Sequence, residues 1–147
     1  MSADLTTTYL GLALECPLVA SSSPLTGKIE SLRALAEHGA GAVVLPSLFE
    51  EEVTEDGGTP SDALWHTDEH PGEAKRELDI PVVASLNGTT PGGWTRTAEL
   101  LQEAGADAIE LNVYSVETDP YASGANVEER TLRLCTRCGR RSRFRSP

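Results

Sequence analysis

The chain has 147 residues, of which 39% are apolar, and it carries a net charge of −11 at neutral pH. This length and composition fit one domain with a buried core and exclude wholesale disorder. The excess of acidic residues argues against nucleic-acid and anionic-membrane partners, because both require positive charge facing phosphates.

The first residues of the sequence predict neither a secretory leader nor a membrane anchor. Residues 1–8 lack a basic start followed by an apolar stretch, and no run of about 18 apolar residues occurs in the sequence. Three cysteines do not make a disulfide framework. We therefore expect a cytoplasmic protein.

Next along the chain, alternating residues at 6–10 and 12–14 flank Gly11 and predict a hairpin that closes one end of the following sheet.

An internal repeat follows the hairpin and decides the predicted architecture. Residues 17–21 and 81–85 are predicted as short buried strands, each followed by a helix with an apolar stripe and a second strand at 42–45 or 108–111. Thr26 is the predicted N-cap of the first helix, and Gly39 and Gly105 are predicted left-handed C-caps. Two such units in tandem predict a parallel sheet with outer helices. Their similarity favours a (β/α)8 barrel over a doubly wound open sheet.

Two groups of potential metal ligands do not predict a metal site. Residues 50–72 are acidic and rich in Gly, Pro, Thr and Asp, which indicates a long loop. His66 and His70 lie in this loop, where helical periodicity is lacking. Cys135 and Cys138 form a single CxxC pair without a second pair and without a preceding strand, so neither zinc binding nor redox chemistry is predicted there.

Small polar residues follow the carboxyl ends of the predicted strands, where βα barrels place their active sites. They include Ser21, Ser47, residues 85–90, Asn112 and Ser115. Amides and hydroxyls can approach a planar ligand closely and give directional hydrogen bonds. Asn112 ends an apolar strand and needs a partner or a ligand, although turn formation is an alternative explanation for Asn and Ser at strand ends.

At these strand ends the sequence resembles the dihydroorotate dehydrogenase family of FMN-dependent TIM barrels, and most closely the dihydroorotate dehydrogenase-like proteins grouped with its class 1 members, of which it matches the N-terminal half. The resemblance covers residues 4–129, in segments 5–12, 16–26, 41–51, 81–94 and 105–112. It implies FMN across the barrel mouth, with Ala20 and Ser21 beneath the flavin and Asn87 and Asn112 beside it. Ser115 falls at the position of the family's catalytic base, which takes a substrate proton while a hydride passes to the flavin. A serine in this role needs a proton relay.

Two departures from the family pattern bear on the substrate. Pro46 stands where dihydroorotate dehydrogenases carry a lysine, and residues 115–117 replace the run that holds orotate. The resemblance therefore implies an oxidoreductase that acts on a CH–CH bond of a small, dihydropyrimidine-like molecule, of the kind used in pyrimidine biosynthesis, and disfavours dihydroorotate itself.

The charge is divided unevenly along the chain. Residues 1–129 hold all 23 acidic and five basic residues, a net −18, whereas residues 130–147 hold seven arginines and no acid, a net +7. Leu132 and Leu134 predict no helical stripe with the residues after them. We predict two parts, residues 4–129 as the N-terminal half of a flavin-binding barrel and residues 130–147 as a basic tail outside the family, with a deliberate basic extension as the alternative.

A complete barrel takes about 250 residues, so the sequence predicts a truncated half-barrel of about four parallel strands with an N-terminal hairpin. Half a barrel has two open edges, which predicts a homo-oligomer. Two functions stay open at this point: a flavin oxidoreductase impaired by truncation, and a non-catalytic half-barrel that self-associates. A third, an open-sheet binding domain without flavin, requires the two repeat units to lie on opposite sides of a switch point.

Overall fold

The structure is a computed structural model that describes residues 3–49, 71–87, 93–113 and 117–141. Its elements are β1 (Thr7–Tyr9), β2 (Leu12–Leu14), β3 (Val19–Ala20), a 3-10 turn (Pro24–Gly27), α1 (Ile29–Glu37), β4 (Ala42–Phe49), α2 (Pro71–Glu77), β5 (Val82–Asn87), α3 (Gly93–Glu103), β6 (Ala108–Asn112) and α4 (Gly124–Arg141). β1 and β2 form an antiparallel hairpin, and the other four strands form a parallel sheet. The predicted α/β class with four parallel strands and an N-terminal hairpin is confirmed.

The arrangement of the sheet follows a barrel and departs from a doubly wound fold. The strands lie in the order β3-β4-β5-β6, so the described part of the sheet has no switch point between the repeat units. The three described helices between the strands pack on one face, whereas a doubly wound sheet carries helices on both. Leu32 of α1 and Ala74 of α2 pack with Val43 and Val82, which are register partners. Leu101 of α3 packs on the same face farther along the sheet.

The opposite face, called the inner face here, is covered at one end by the hairpin. Leu12 of β2 packs against a cluster formed by Val44, Val83 and Ala108. These three residues lie in the amino-terminal parts of their strands, so the hairpin leaves the carboxyl ends uncovered. The residues on the inner face that the register places together are Val19, Ala42, Val44, Ser47, Phe49, Val83, Ser85, Asn87, Ala108, Glu110 and Asn112, and Ser21 follows Val19 by alternation.

The two repeat units end their helices in the same way. Gly39 and Gly105 have φ values of 90° and 104°, in the left-handed region that favours glycine. After α1, the Gly39 N–H donates to the Ala36 carbonyl and the Ala40 N–H to the Leu35 carbonyl, which is a Schellman motif. The same pair of bonds follows α3. The predicted C-caps are therefore confirmed.

The predicted N-cap of the first helix is wrong. Thr26 lies in the 3-10 turn, and α1 begins two residues after that turn ends, with Lys28 as its N-cap. The Thr26 hydroxyl is buried and donates to the Ser23 carbonyl at 3.0 Å. The Ser23 N–H donates back to the same hydroxyl at 3.1 Å. The local pairing of Thr26 with Ser23 thus stabilises the turn that precedes the helix.

A β-bulge interrupts β4 near its middle. The register pairs Val44 with Val83 and Ser47 with Ser85, so Leu45 and Pro46 together stand opposite one residue of β5. Proline is tolerated at a bulge because the hydrogen-bond ladder is already broken there. The strand continues to Phe49, beyond its predicted end, and the bulge brings Ser47 onto the inner face.

The chain leading into β3 passes very close to the start of β4. A Cβ atom added to Gly41 would lie 1.9 Å from the carbonyl oxygen and 2.9 Å from the carbonyl carbon of Cys16. The Gly41 N–H also donates to the Leu18 carbonyl at 2.8 Å. Only glycine therefore permits this approach between two stretches of main chain.

Two of the described helices were not expected from the sequence. α2 begins at Pro71, and residues 50–70, including His66 and His70, lie outside the described residues. α4 runs to Arg141, which corrects the expectation that the basic end is not helical. The Ser123 hydroxyl accepts the Asn126 N–H at 3.3 Å at the start of this helix. α4 continues through residues 129 and 130, and the proposed boundary between barrel half and tail stays a prediction.

Candidate active site

A network of polar side chains crosses the inner face near the carboxyl ends of the strands. It consists of Ser22, Ser47, Ser85, Glu110 and Asn112 and is called the polar network below. Ser47 Oγ lies 2.7 Å from Ser85 Oγ and 3.5 Å from Ser22 Oγ. Ser85 Oγ donates to Glu110 Oε1 at 3.0 Å. The Asn112 amide nitrogen donates to Ser85 Oγ at 2.9 Å and to Glu110 Oε1 at 3.1 Å.

Asn87 lies beside the polar network and carries an unsatisfied atom. It is the register partner of Asn112 on the neighbouring strand. Its Oδ1 atom is buried and has no hydrogen-bond partner within the described part of the chain. A buried amide oxygen without a partner is destabilising, so such an atom at a strand end is typical of a ligand site.

The other predicted site residues, Ser21, Ala20 and Ser115, do not all lie on the inner face. Ser21 is exposed and lines a cleft on the inner face. Ala20 is half-buried and packs with the cluster that faces α1 and α2, so its side chain is turned away from that cleft. Ser115 lies outside the described residues. Asn87 and Asn112 are thus brought together, and Ser21 reaches the same face.

The cleft lies between the hairpin and the inner face and has a volume of about 480 Å³. Its walls come from the hairpin (Thr7, Thr8, Tyr9, Leu10 and Leu14), from the chain around β3 (Pro17, Val19 and Ser21) and from the sheet (Val44, Val83, Ile109 and Glu110). Glu110 therefore lines this cleft and is also part of the polar network.

Glu110 is the functional candidate that the sequence analysis did not single out. By register it is the charged residue among the described residues of the inner face. A signal was present in the sequence, because Glu110 is flanked by Ile109 and Leu111 in an otherwise apolar strand. A charge in such a run requires partners on one face of the sheet. Ser85 supplies one of them from the adjacent strand, and that pairing depends on the register.

A second acidic side chain is held in place just beyond β6. The main-chain N–H of Asp119, at 3.1 Å, and then the Arg130 guanidinium lower the pKa of the Glu117 carboxyl from its usual value. Arg130 lies in α4, so the ion pair connects this helix to the segment that follows β6.

Among the described residues, no three His, Cys, Asp or Glu side chains group as metal ligands. None of the described helices is both long and apolar enough to cross a membrane.

The comparisons with known proteins agree in pointing to one group of enzymes. Over 148 aligned residues, the chain is 31% identical to the NAD-dependent dihydropyrimidine dehydrogenase subunit PreA of Escherichia coli K12, covering 86% of this chain and 36% of that protein. Catalytic subunits of dihydroorotate dehydrogenase B (NAD(+)) match at 30% identity in Methanocella arvoryzae, with 86% and 46% coverage, and at 34% in Methanosarcina mazei, with 81% and 44% coverage. No family model matches the chain.

The chain spans less than half the length of the curated relatives that it matches. Within that span the match rests on sequence identities of 30% to 34%. Over most of its length the chain is homologous to part of dihydroorotate dehydrogenase B catalytic subunits and of a dihydropyrimidine dehydrogenase subunit.

Proposed function

We propose that this chain contributes the first part of an FMN-binding site in a dehydrogenase that removes a hydride from a dihydropyrimidine-like substrate. The observation that carries the proposal is the pair of amides at the ends of β5 and β6. Asn87 presents a buried, unpartnered oxygen, and the amide of its register partner Asn112 is held by Ser85 and Glu110. Amides at adjacent strand ends suit a planar ring with polar atoms along its edge.

The described residues fit a flavin ring in part. Asn87 and Asn112 would hold the ring edge, and Ser21 would lie beneath it. Ala20 would meet the ring through its main chain, because its side chain packs toward α1 and α2. FMN, when bound, would supply the acceptor for the hydride. Ser115 would take the substrate proton in this proposal.

The charge of the inner face favours an uncharged substrate. Glu110 contributes a negative charge, and the inner-face residues that the structure describes include no cation. Pro46 occupies the β4 position at which the family resemblance implies a lysine. A substrate carboxylate near Glu110 would be repelled. An uncharged dihydropyrimidine therefore fits this half of the site better than dihydroorotate.

The proposal is tested by titrating the 147-residue chain into FMN and following flavin fluorescence. We expect saturable quenching that weakens at least tenfold in Asn112→Leu, which removes the amide. Asn126→Ala is the matched control, because Asn126 is an exposed residue at the start of α4. Absence of saturable binding, or equal weakening in both variants, would contradict the assignment.

A second candidate function is self-association of the chain as a non-catalytic half-barrel. Within the described part of the sheet, β3 pairs only with β4 and β6 only with β5, so each has an open edge. Phe49, on the inner face, is 46% exposed. Two copies related by a twofold axis would supply eight strands and cover both features. Light scattering decides this: a discrete dimer supports the candidate, and a folded monomer at all concentrations rejects it.

A further inference from the structure

The hydrogen bonds of the polar network all run in one direction. An ionised carboxylate accepts hydrogen bonds and donates none, so the single hydroxyl hydrogen of Ser85 must point to Glu110. Ser47 is then the donor in its 2.7 Å contact with Ser85, and Ser22 is the donor toward Ser47. The hydroxyl groups from β4, from β5 and from the residues just after β3 are therefore aligned toward the carboxylate on β6.

The same carboxylate determines which end of the Asn112 amide is free. The two N–H groups of Nδ2 are used by Glu110 Oε1 and Ser85 Oγ. The reversed amide would place Oδ1 against a carboxylate oxygen, which is repulsive, and against Ser85 Oγ, whose only hydrogen is already donated. Oδ1 of Asn112 is thus turned away from Glu110 and remains an acceptor for a ligand.

We propose that Glu110 is a positioning residue that holds Asn112 as a hydrogen-bond acceptor toward the ligand. Asn87, the register partner of Asn112, adds a second amide oxygen that is buried without a partner among the described residues. Two neighbouring acceptors select a ring edge that carries N–H donors, as in a cyclic imide or ureide. A flavin and a dihydropyrimidine both have such an edge, and the identity of the ligand rests on the proposed function.

The first test needs no ligand and uses thermal unfolding of the chain between about pH 5 and pH 8. Asn112→Asp places a second carboxylate beside Glu110, which raises the pKa of one of the two groups in the folded state. A raised folded pKa gives stability that is present at low pH and lost as the pH rises through it. The Tm deficit of Asn112→Asp relative to wild type should therefore widen by about 5 °C across this range.

The double variant Glu110→Gln with Asn112→Asp moves the carboxylate to position 112 and the amide to position 110. The glutamine amide can then donate a hydrogen bond to the new carboxylate. We expect its Tm deficit to change by less than about 1 °C over the same pH range, since the like charges are gone. A deficit in Asn112→Asp that does not depend on pH would overturn the proposal, as would a double variant with the same pH dependence as Asn112→Asp.

The second test measures the affinities of FMN and uracil for wild type and Glu110 variants. Glu110→Leu should weaken the ligand that meets Asn112 at least tenfold, while Glu110→Gln, which can still accept through Oε1, should stay within about threefold. Weakening of FMN alone or of uracil alone identifies which ring contacts Asn112. Equal weakening in the Leu and Gln variants opposes the positioning role. If wild type binds neither compound, the proposed function fails while the pH test still decides the pairing.

If Asn112→Asp does not fold, the wild-type chain gives the answer by NMR. The side-chain amide signals of Asn112 should shift with pH along the same curve as the carboxyl carbon of Glu110, because one of its N–H groups is bonded to that carboxylate. Signals that stay constant while Glu110 titrates would refute the contact. The side-chain amide of Asn126 serves as the reference, since it is exposed and lies in α4.

Discussion

Replacement of the two neighbouring asparagines by leucine should change stability in opposite directions. Asn87→Leu removes a buried oxygen that has no partner among the described residues. An unsatisfied buried polar group costs about 1–3 kcal/mol, and leucine has the same number of side-chain heavy atoms as asparagine. We expect Asn87→Leu to raise the free energy of unfolding by about 1 kcal/mol, because part of the side chain is accessible to solvent.

Asn112→Leu should have the opposite effect although it is the same substitution at the register-paired position. It removes two hydrogen bonds, to Ser85 and to Glu110, and leaves a carboxylate with one donor fewer. Hydrogen bonds to charged groups contribute about 1.5–3 kcal/mol, so we expect a loss of about 2 kcal/mol. The two variants should therefore differ by about 3 kcal/mol in the free energy of unfolding.

The assay is urea denaturation at neutral pH followed by circular dichroism, with both variants and wild type fitted to a common slope. A rise in the midpoint for Asn87→Leu together with a fall for Asn112→Leu supports the reasoning. If Asn87→Leu is destabilised, the Asn87 oxygen is satisfied in solution and cannot be the vacant acceptor of a ligand site. Stabilisation of Asn87→Leu accompanied by weaker FMN binding would show that this atom is retained for function.

Two other predictions concern packing and charge. Gly41→Ala should lower the free energy of unfolding by about 3 kcal/mol because its Cβ would overlap the Cys16 carbonyl. In urea denaturation, Gly124→Ala is the control and should change little, since nothing lies within 4 Å of its Cβ position; equal losses would contradict the overlap. Arg130→Gln should raise the pKa of Glu117 in a carbon-13 titration but leave it below the usual value, because the main-chain N–H of Asp119 is the largest cause. Because the folded-state pKa of Glu117 is lowered, its ionised form stabilises the fold at pH values above the usual pKa, and this stability is lost as the pH falls through the folded-state pKa. An unchanged pKa of Glu117 in Arg130→Gln would reject the ion pair.

The repeat predicts the fold well because each unit carries its own local signals. Apolar strands and the glycines at 39 and 105 depend on neighbours in sequence, and the structure confirms both. α4 is not predicted by an apolar stripe, because the residues that form this helix are mostly polar. Thr26 belongs to a different element from the predicted one, since a hydroxyl near a helix start can stabilise a preceding turn equally well.

The sequence predicts individual residues of the candidate site but not the contacts between them. Asn87 and Asn112 follow from strand ends and from the family resemblance, and the parallel register then makes them neighbours. The pairing of Ser47 with Ser85 is not foreseeable, because it depends on the extra residue in β4 that shifts the register. The role of Glu110 depends on the same cross-strand alignment. Long-range register, and not local propensity, therefore decides which polar groups meet.

The bulge at Pro46 has a consequence for how substrate preference can evolve in this sheet. Ser47 and Leu48 on its far side keep their places, one in the polar network and the other against the helix-facing core. The residue at position 46 belongs to an interruption of the ladder, so its replacement by a charged residue need not change strand pairing. If the proposed function holds, the preference for a neutral or an anionic substrate and the construction of the sheet depend on different residues. A lineage can exchange one of these properties without rebuilding the other.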